Sequence, residues 1–346
     1  MPALLGVTGL AAALLAVVGC QRAPVESRPA ASSHPSETAA RTPVLTFSGM
    51  CDASGAVPVD ARYFWVADDE DNVLRLYDAE LAGAPLAQVD VSSSLGLPRN
   101  KKGLAPEVDI EAATRVGDRA YWLSSHGRNS GGKLKRERLR WFATTISSKP
   151  EELRVLGHYE NLLSDLLSEP KLAAFELNAA AELAPKAAGG LNLEGMTARK
   201  EGGVWIGFRN PIPQGKALLV PLLNPEELLM GKRAVFGEPV TLALSGLGVR
   251  ALSAHAGRYL IAAGSYDSGG RPQLFAWPGG EVAAPLGLGA ASDLTVEAFF
   301  SPADREQVLL LSDDGSRSID GVECKKHIDT RRKQFRGAWL SLPSSP

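Results

Sequence analysis

Five similar segments of this sequence each contain an ionisable residue that is followed by Ala or Gly. These residues are Asp52, Glu111, Glu194, Arg250 and Glu297. A second set ends the apolar run that comes after each of them, and its ionisable members are Asp69, His126, Arg209 and Asp314. Asp109 lies two residues before Glu111, so both face the same side of an extended strand. We expect these ten side chains to meet at one candidate site.

Several carboxylates at one opening repel each other unless a cation, an arginine or a shared proton relieves the repulsion. Carboxylate oxygens suit a hard ion such as Ca²⁺ or Mg²⁺, and Arg209, Arg250 and His126 could hold an anionic group beside it. Such an ion could also assist catalysis by polarising a phosphoryl oxygen. Alternatively, the two arginines neutralise the acids as a structural plug. The sequence leaves these three hypotheses open.

The elements that must position these residues are short apolar runs bounded by turn residues, which are typical of buried strands. They are FWVADD at 64–69, YWLSSH at 121–126, VWIGFR at 204–209, LIAAGS at 260–265 and LLLSDD at 309–314. Further candidate strands precede and follow each run. Units of four antiparallel strands around a ring predict an all-β fold, a β-propeller of five blades. A β-sandwich also uses many short strands, but the shared pattern of five units favours the propeller.

The fifth unit has no fourth strand of its own, because the chain ends soon after Leu342. The segment 44–47 could supply that strand from the other end and close the ring. This closure would bring Cys51 near Cys324, and in an oxidising compartment the two thiols would form a disulfide. Leucines with helical spacing predict a short helical insertion at about 159–190.

Residues 1–19 are apolar and uncharged, as in a secretory signal peptide. The segment Val17-Val18-Gly19-Cys20 resembles the lipobox of bacterial lipoproteins, which implies that Cys20 becomes a lipid-modified N-terminus in the cell envelope. Residues 20–42 are rich in Ser, Pro and Ala and predict a disordered tether before a propeller domain at 43–346. An uncleaved membrane helix is the alternative, because about 18 apolar residues can span a bilayer.

The charge balance disfavours nucleic acid as a partner, since 37 Lys and Arg face 39 Asp and Glu. Two basic runs, 133–140 and 325–336, are interpreted as solvated loops. The sequence has no phosphate-binding loop, dinucleotide fingerprint, nucleophile elbow or zinc spacing. The expected partners are a membrane, through the lipid anchor, and a small anionic ligand or an envelope protein.

Four longer segments resemble the bacterial domain-of-unknown-function family 3616. They are SGMCDASGAVPVDARYFWVADDEDNVLRLY, DIEAATRVGDRAYWLSSHGRNSGGK, GGLNLEGMTARKEGGVWIGFRNPI and GLGVRALSAHAGRYLIAAG. The resemblance covers about residues 42–342 and implies an exported, propeller-like protein without an established activity. The tetrapeptide Asn192–Gly195 is also similar to a segment of the esterase-like phytase propellers.

The sequence therefore predicts an exported lipoprotein whose propeller binds a ligand or partner at an acidic and arginine-containing channel mouth. The alternative is a metal-assisted hydrolase, a phosphoesterase or phytase-like enzyme. The third hypothesis is a structural protein of the cell envelope.

Overall fold

The apolar runs pair into five four-stranded antiparallel sheets in the computed structural model, which describes residues 43–302 and 305–342. The innermost strand of each sheet lies beside the innermost strands of its neighbours, and the fifth sheet closes on the first. The predicted five-bladed β-propeller is confirmed.

Each of the first four blades is a meander of consecutive strands. After β1 (Val44–Ser48), the first blade contains β2 (Gly55–Pro58), β3 (Tyr63–Ala67), β4 (Val73–Asp78) and β5 (Ala87–Asp90). The second contains β6 (Ile110–Val116), β7 (Arg119–Ser124), β8 (Trp141–Thr145) and β9 (Val155–Tyr159). The third contains β10 (Asn192–Ala198), β11 (Val204–Asn210), β12 (Ala217–Leu222) and β13 (Val240–Leu242). The fourth contains β14 (Gly248–His255), β15 (Arg258–Gly264), β16 (Gln273–Trp277) and β17 (Ala284–Leu286).

The fifth blade joins the two ends of the propeller. Its strands are β18 (Val296–Phe300), β19 (Gln307–Ser312) and β22 (Gln334–Ser341), and β1 completes it at the outer edge. A small hairpin, β20 (Ser318–Ile319) and β21 (Val322–Glu323), lies in the loop before β22. Phe47 of β1 stacks on Phe335 of β22 with ring centroids 4.9 Å apart. The predicted closing strand is therefore confirmed.

A disulfide joins Cys51 to Cys324, with a Cα–Cα distance of 5.8 Å. This pairing confirms the predicted disulfide. It fixes the segment after β1 to the loop of the last blade, across 273 residues of sequence.

Glycines in the two inner strands of the third blade make room for a side chain of the fourth blade. A Cβ on Gly195 or Gly207 would lie 2.5 or 2.6 Å from Cγ1 of Val249 in the next blade. Larger residues fill the space between blades farther out, where Trp65, Trp122, Trp141 and Trp277 are almost fully buried. These four tryptophans are therefore core residues.

The predicted helical insertion lies between β9 and β10. It consists of α1 (Leu162–Ser168), a 3-10 helix (Pro170–Phe175) and α2 (Leu177–Ala180). Leu162 and Leu166 pack into the core of the second and third blades. A further helix, α3 (Pro225–Leu228), follows β12. Within residues 43–302 and 305–342, no helix has the length and apolar character needed to cross a membrane. The predicted signal peptide, Cys20 and the whole of the predicted tether lie outside the described residues.

Candidate functional site

A β-bulge in the innermost strand positions one ionisable residue in each of four blades. In the second blade, Ile110 pairs with Ser124 and Ala112 pairs with Leu123, which leaves Glu111 as an extra residue between them. The same irregularity leaves Glu194 in the third blade, Arg250 in the fourth and Glu297 in the fifth without a partner residue on the neighbouring strand. A bulge redirects the side chain of the extra residue. These four residues therefore occupy equivalent positions, as the sequence predicts.

Asp52 is the exception to the predicted equivalence. In the first blade Gly55 pairs with Ala67 and Ala56 with Val66, with no extra residue between them. Asp52 lies three residues before β2 and forms an isolated bridge with Asp313 of the last blade. The repeat alignment was wrong at this position, because the first blade lacks the bulge. Asp52 nevertheless reaches the same end of the channel.

The end of the channel where these residues meet opens into a cavity of about 420 Å³, which we call the mouth cavity. Eight of the ten predicted side chains line it: Asp52, Asp69, Asp109, Glu111, Glu194, Arg209, Arg250 and Glu297. Beneath it the channel is nearly filled, with a void of about 10 Å³ near Met196 and Leu252.

His126 and Asp314 do not line the mouth cavity. The strand register places Ser125 and Asp313 at the positions that correspond to Arg209, one residue earlier than predicted. Adjacent residues of a strand face opposite sides, so this shift removes both predicted side chains from the wall. Asp314 is buried and instead accepts hydrogen bonds from Arg336 Nε (2.8 Å) and Nη2 (2.7 Å).

His126 is a buried neutral group behind the mouth. Its Nδ1 lies 2.7 Å from the carbonyl oxygen of Ser124, so Nδ1 carries the proton. Burial lowers the pKa of His126 to about 4. It therefore offers no positive charge for an anionic ligand at neutral pH.

Sequence reasoning missed several residues of the wall. They include Asp313, Asn192, Arg138, Lys186 and Lys325. Arg138 belongs to the run 133–140, which we interpreted as a solvated loop. Instead, its Nη1 lies 2.7 Å from Asp109 Oδ2 and its side chain is largely buried. Because Asn192 precedes Glu194 by two residues, the spacing that identified Asp109 could also have identified Asn192.

One side of the mouth contains paired charges, and we call Glu194, Glu297, Arg209 and Arg250 the arginine half. Arg209 Nη1 lies 2.6 Å from Glu194 Oε1 and 3.8 Å from Glu297 Oε1. Arg250 forms a close ion pair with Glu297. Burial alone would raise the pKa of Glu297, but the charges of Arg250 and Arg209 outweigh it and hold that pKa below its usual value.

The other side contains carboxylates with little compensation, and we call Asp52, Asp69, Asp109 and Glu111 the acidic half. Among the described residues, only Asp109 of this set forms a salt bridge, with Arg138. Burial, and then the charges of Glu194 and Asp109, raise the pKa of Glu111 well above its usual value. Burial raises the pKa of Asp109 to about 6 even though Arg138 opposes the shift.

Several buried oxygen atoms in the wall have no hydrogen-bond partner among the described residues. They are Oδ1 of Asn192, Oε2 of Glu194 and Oε2 of Glu297, on side chains that are 4%, 2% and 5% exposed. Oδ1 of Asp52 and Oδ1 of Asp69 are also buried without a hydrogen-bond partner. Buried polar groups in folded proteins are nearly always paired, so this concentration marks an incomplete network.

Three groups of carboxylates bring their oxygens within 4.8 Å of one another, which is close enough for one ion. Two ligands of a single Ca²⁺ lie at most about 5 Å apart, because each Ca–O distance is about 2.3–2.6 Å. The groups are Asp52 with Glu297 and Asp313, Asp69 with Asp109 and Glu111, and Glu111 with Glu194 and Glu297.

The opposite end of the channel has a depression of about 570 Å³ with a different lining. Its walls come from the same inner strands, yet only Asp60 and Arg115 in them are charged. The ionisable residues are therefore concentrated at the mouth.

Residues 143–296 match the family model described as "Protein of unknown function (DUF3616)". The predicted family resemblance is confirmed. The match covers less than half of the chain and centres on the third and fourth blades. DUF3616 has no described function, so the match adds none to the site. No functionally curated protein matches the sequence.

Several solved structures align with most of this chain, but their sequences are only 10–12% identical to it. Glutaminyl cyclase of Myxococcus xanthus aligns at 10% identity with a TM-score of 0.45, over 87% of this chain and 96% of that one. An engineered GH43 glycoside hydrolase aligns at 12% identity with a TM-score of 0.47, over 88% and 52%. The aldose sugar dehydrogenase of Streptomyces coelicolor aligns at 11% identity with a TM-score of 0.42, over 86% and 99%. At these scores they say nothing about the activity of this chain.

Proposed function

We propose that this chain is an exported, lipid-anchored propeller that binds a small ligand in the mouth cavity. The observation that supports this proposal is the set of buried oxygens without a hydrogen-bond donor. An unpaired buried acceptor costs about 1–3 kcal/mol, and a ligand that supplies cationic or donor groups would recover that free energy.

In a purely structural plug, fewer buried carboxylate and amide oxygens would lack a hydrogen-bond donor or a cationic partner. The arginine half fits such a plug, because each of its two arginines is ion-paired. The acidic half does not fit it, since Asp69 and Glu111 have no cationic partner among the residues described. Uncompensated ionisable clusters in a cleft are typical of sites that sacrifice stability for function.

A metal-assisted hydrolase of phosphorylated substrates is the second candidate function. Lys186 and Lys325 are exposed in the cavity wall, and neither is ion-paired with a described carboxylate. These free ammonium groups could hold a phosphate while a bound ion polarises it. Phosphatase activity that is lost with chelator and in Lys186→Ala would favour this function over binding alone.

The test of ligand binding is a thermal-unfolding screen against small amines, carboxylates, sugars and phosphate esters in the presence of chelator. A true ligand should raise the unfolding midpoint of the wild type and of Asp118→Asn, but not that of Asp69→Asn or Glu111→Gln. Asp118 is a matched control because it lies in the exposed turn at the other end of the hairpin that contains Glu111. Hits that are equal in all four proteins, or no hits, would contradict the proposal and favour a structural envelope protein.

The lipid anchor has a separate test in Cys20→Ser. Because the lipobox-like segment offers one thiol for acylation, this substitution should abolish lipid labelling and release the protein from the membrane fraction. Cys324→Ser is the control and should remain labelled. Unchanged labelling of Cys20→Ser would disprove the lipoprotein.

A further inference from the structure

Three glutamates from three blades meet at the base of the mouth cavity, and we infer that Glu111, Glu194 and Glu297 bind one hard divalent cation. One carboxylate oxygen of each lies within 4.8 Å of one oxygen of the other two, and all three side chains are buried. This inference rests on the proposed ligand-binding function of the mouth and adds a metal ion at the base of the same site.

The backbone fixes the three carboxylates before any ion arrives. Each glutamate is the extra residue of a bulge, in β6, β10 and β18 respectively. Bulges constrain the direction of a side chain, and burial restricts its rotamers. Ordering the ligands therefore costs little conformational entropy when the ion binds.

The arginines of the mouth donate hydrogen bonds to only one oxygen of each glutamate beside them. Arg209 and Arg250 make their closest contacts with Oε1 of Glu194 and Oε1 of Glu297. Oε2 of each remains without a hydrogen bond, and the nearest arginine atom to Oε2 of Glu194 is Arg250 Nε, at 3.9 Å. No described arginine or lysine lies within the 4.0 Å salt-bridge distance of Glu111.

Asn192 gives an independent indication of a cation. Its Nδ2 donates to Glu194 Oε1 at 2.6 Å, which leaves its Oδ1 buried without a donor. Protons shared among the glutamates would relieve their repulsion but would not satisfy this amide oxygen. A hard cation accepts lone pairs from both carboxylate and amide oxygens. A cation therefore accounts for both kinds of unpaired group.

The charge of the cavity also favours a cation. Its wall contains eight acidic residues and five basic residues, so the acids are in excess by three when all are ionised. A divalent ion removes most of that excess. Because all the candidate ligand atoms are oxygens, the site suits Ca²⁺ or Mg²⁺ rather than Zn²⁺.

The test is isothermal titration of the chelator-treated full-length protein with CaCl₂, MgCl₂ and ZnCl₂, with wild type beside Glu111→Gln and Asp118→Asn. We expect one Ca²⁺ or Mg²⁺ per chain in the wild type and in Asp118→Asn, and an affinity at least tenfold lower in Glu111→Gln. Asn192→Leu should also weaken binding. Circular dichroism of each variant verifies that it is folded.

Absence of saturable Ca²⁺ or Mg²⁺ binding, preference for Zn²⁺, or equal affinity in Glu111→Gln would overturn the cation site. The screen in chelator distinguishes this failure from failure of the proposed function. If the titration fails, a small ligand that still depends on Asp69 and Glu111 in chelator would preserve the proposed ligand site without the cation.

Discussion

The two halves of the mouth differ in whether a glutamate at the bulge position is paired with an arginine. In the arginine half, Arg209 and Arg250 neutralise Glu194 and Glu297 within the protein. In the acidic half, Glu111 occupies the same bulge position without such a partner. Equivalent positions in a repeated architecture therefore do not imply equivalent energetics. The carboxylates on one side are compensated by arginines of the protein, and those on the other side, apart from Asp109, are not.

Removal of Arg250 should give the largest loss of stability and tests the arginine half directly. Arg250→Met keeps the volume but leaves Glu297 buried without its partner, so the free energy of unfolding should fall by about 3–5 kcal/mol. Denaturant unfolding measures the change. Arg271→Met removes an exposed pair with Asp293 and should cost less than about 1 kcal/mol. A loss in Arg250→Met as small as that of the control would break the distinction between the halves.

The disulfide connects the acidic half to the loop of the last blade, since Cys51 precedes Asp52 and Cys324 precedes Lys325. Replacing both cysteines by serine should lower the free energy of unfolding by about 2–4 kcal/mol, because the unfolded chain is less restricted. Reductant should bring the wild type to the stability of the double variant and leave the variant unchanged. A double variant as stable as the oxidised wild type would show that the bridge does not stabilise this region.

The pH dependence of stability tests the region behind the acidic half, where His126 is buried as a neutral group. Its folded pKa, about 4, is below the value of about 6.5 in the unfolded chain, so the unfolded state binds more protons between these pH values. Stability should therefore fall as the pH falls, by about 1–2 kcal/mol between pH 7 and pH 5. His126→Asn, which tolerates the positive φ of 55°, should lose this contribution.

Unfolding midpoints at both pH values, with His158→Asn as a surface control, measure the contribution of His126. An equal pH dependence in wild type and His126→Asn would contradict it.

The smallest effect is expected for Glu111→Gln in the acidic half. Because Glu111 has no cationic partner, removing its charge in the absence of divalent ions should leave stability unchanged or raise it by up to about 1 kcal/mol. Thermal unfolding in chelator, with Asp118→Asn as the reference, measures this difference. A loss of several kcal/mol would show that Glu111 is as structural as the arginine half.

The repeats of the sequence predicted the five blades, the closing strand and the disulfide, because each depends on patterns that the chain repeats. The details of the mouth were harder to predict. A bulge has no compositional signature, so the one-residue difference that selects Asp313 over Asp314 could not be read from the sequence. The pairing of Arg138 with Asp109 also escaped prediction, because a charged run gives no indication of which member folds inward.

The closing strand would have a mechanical consequence for the proposed lipid anchor at Cys20. A pull on the anchor would enter the propeller at Val44 and load the pairing of β1 with β22, which spans five residue pairs. Three residues after Ser48, the chain is covalently joined to the last blade through Cys51. Separation of β1 from β22 under tension would therefore stop at the disulfide. While that bond is intact, part of the load would pass through Cys324 into the last blade.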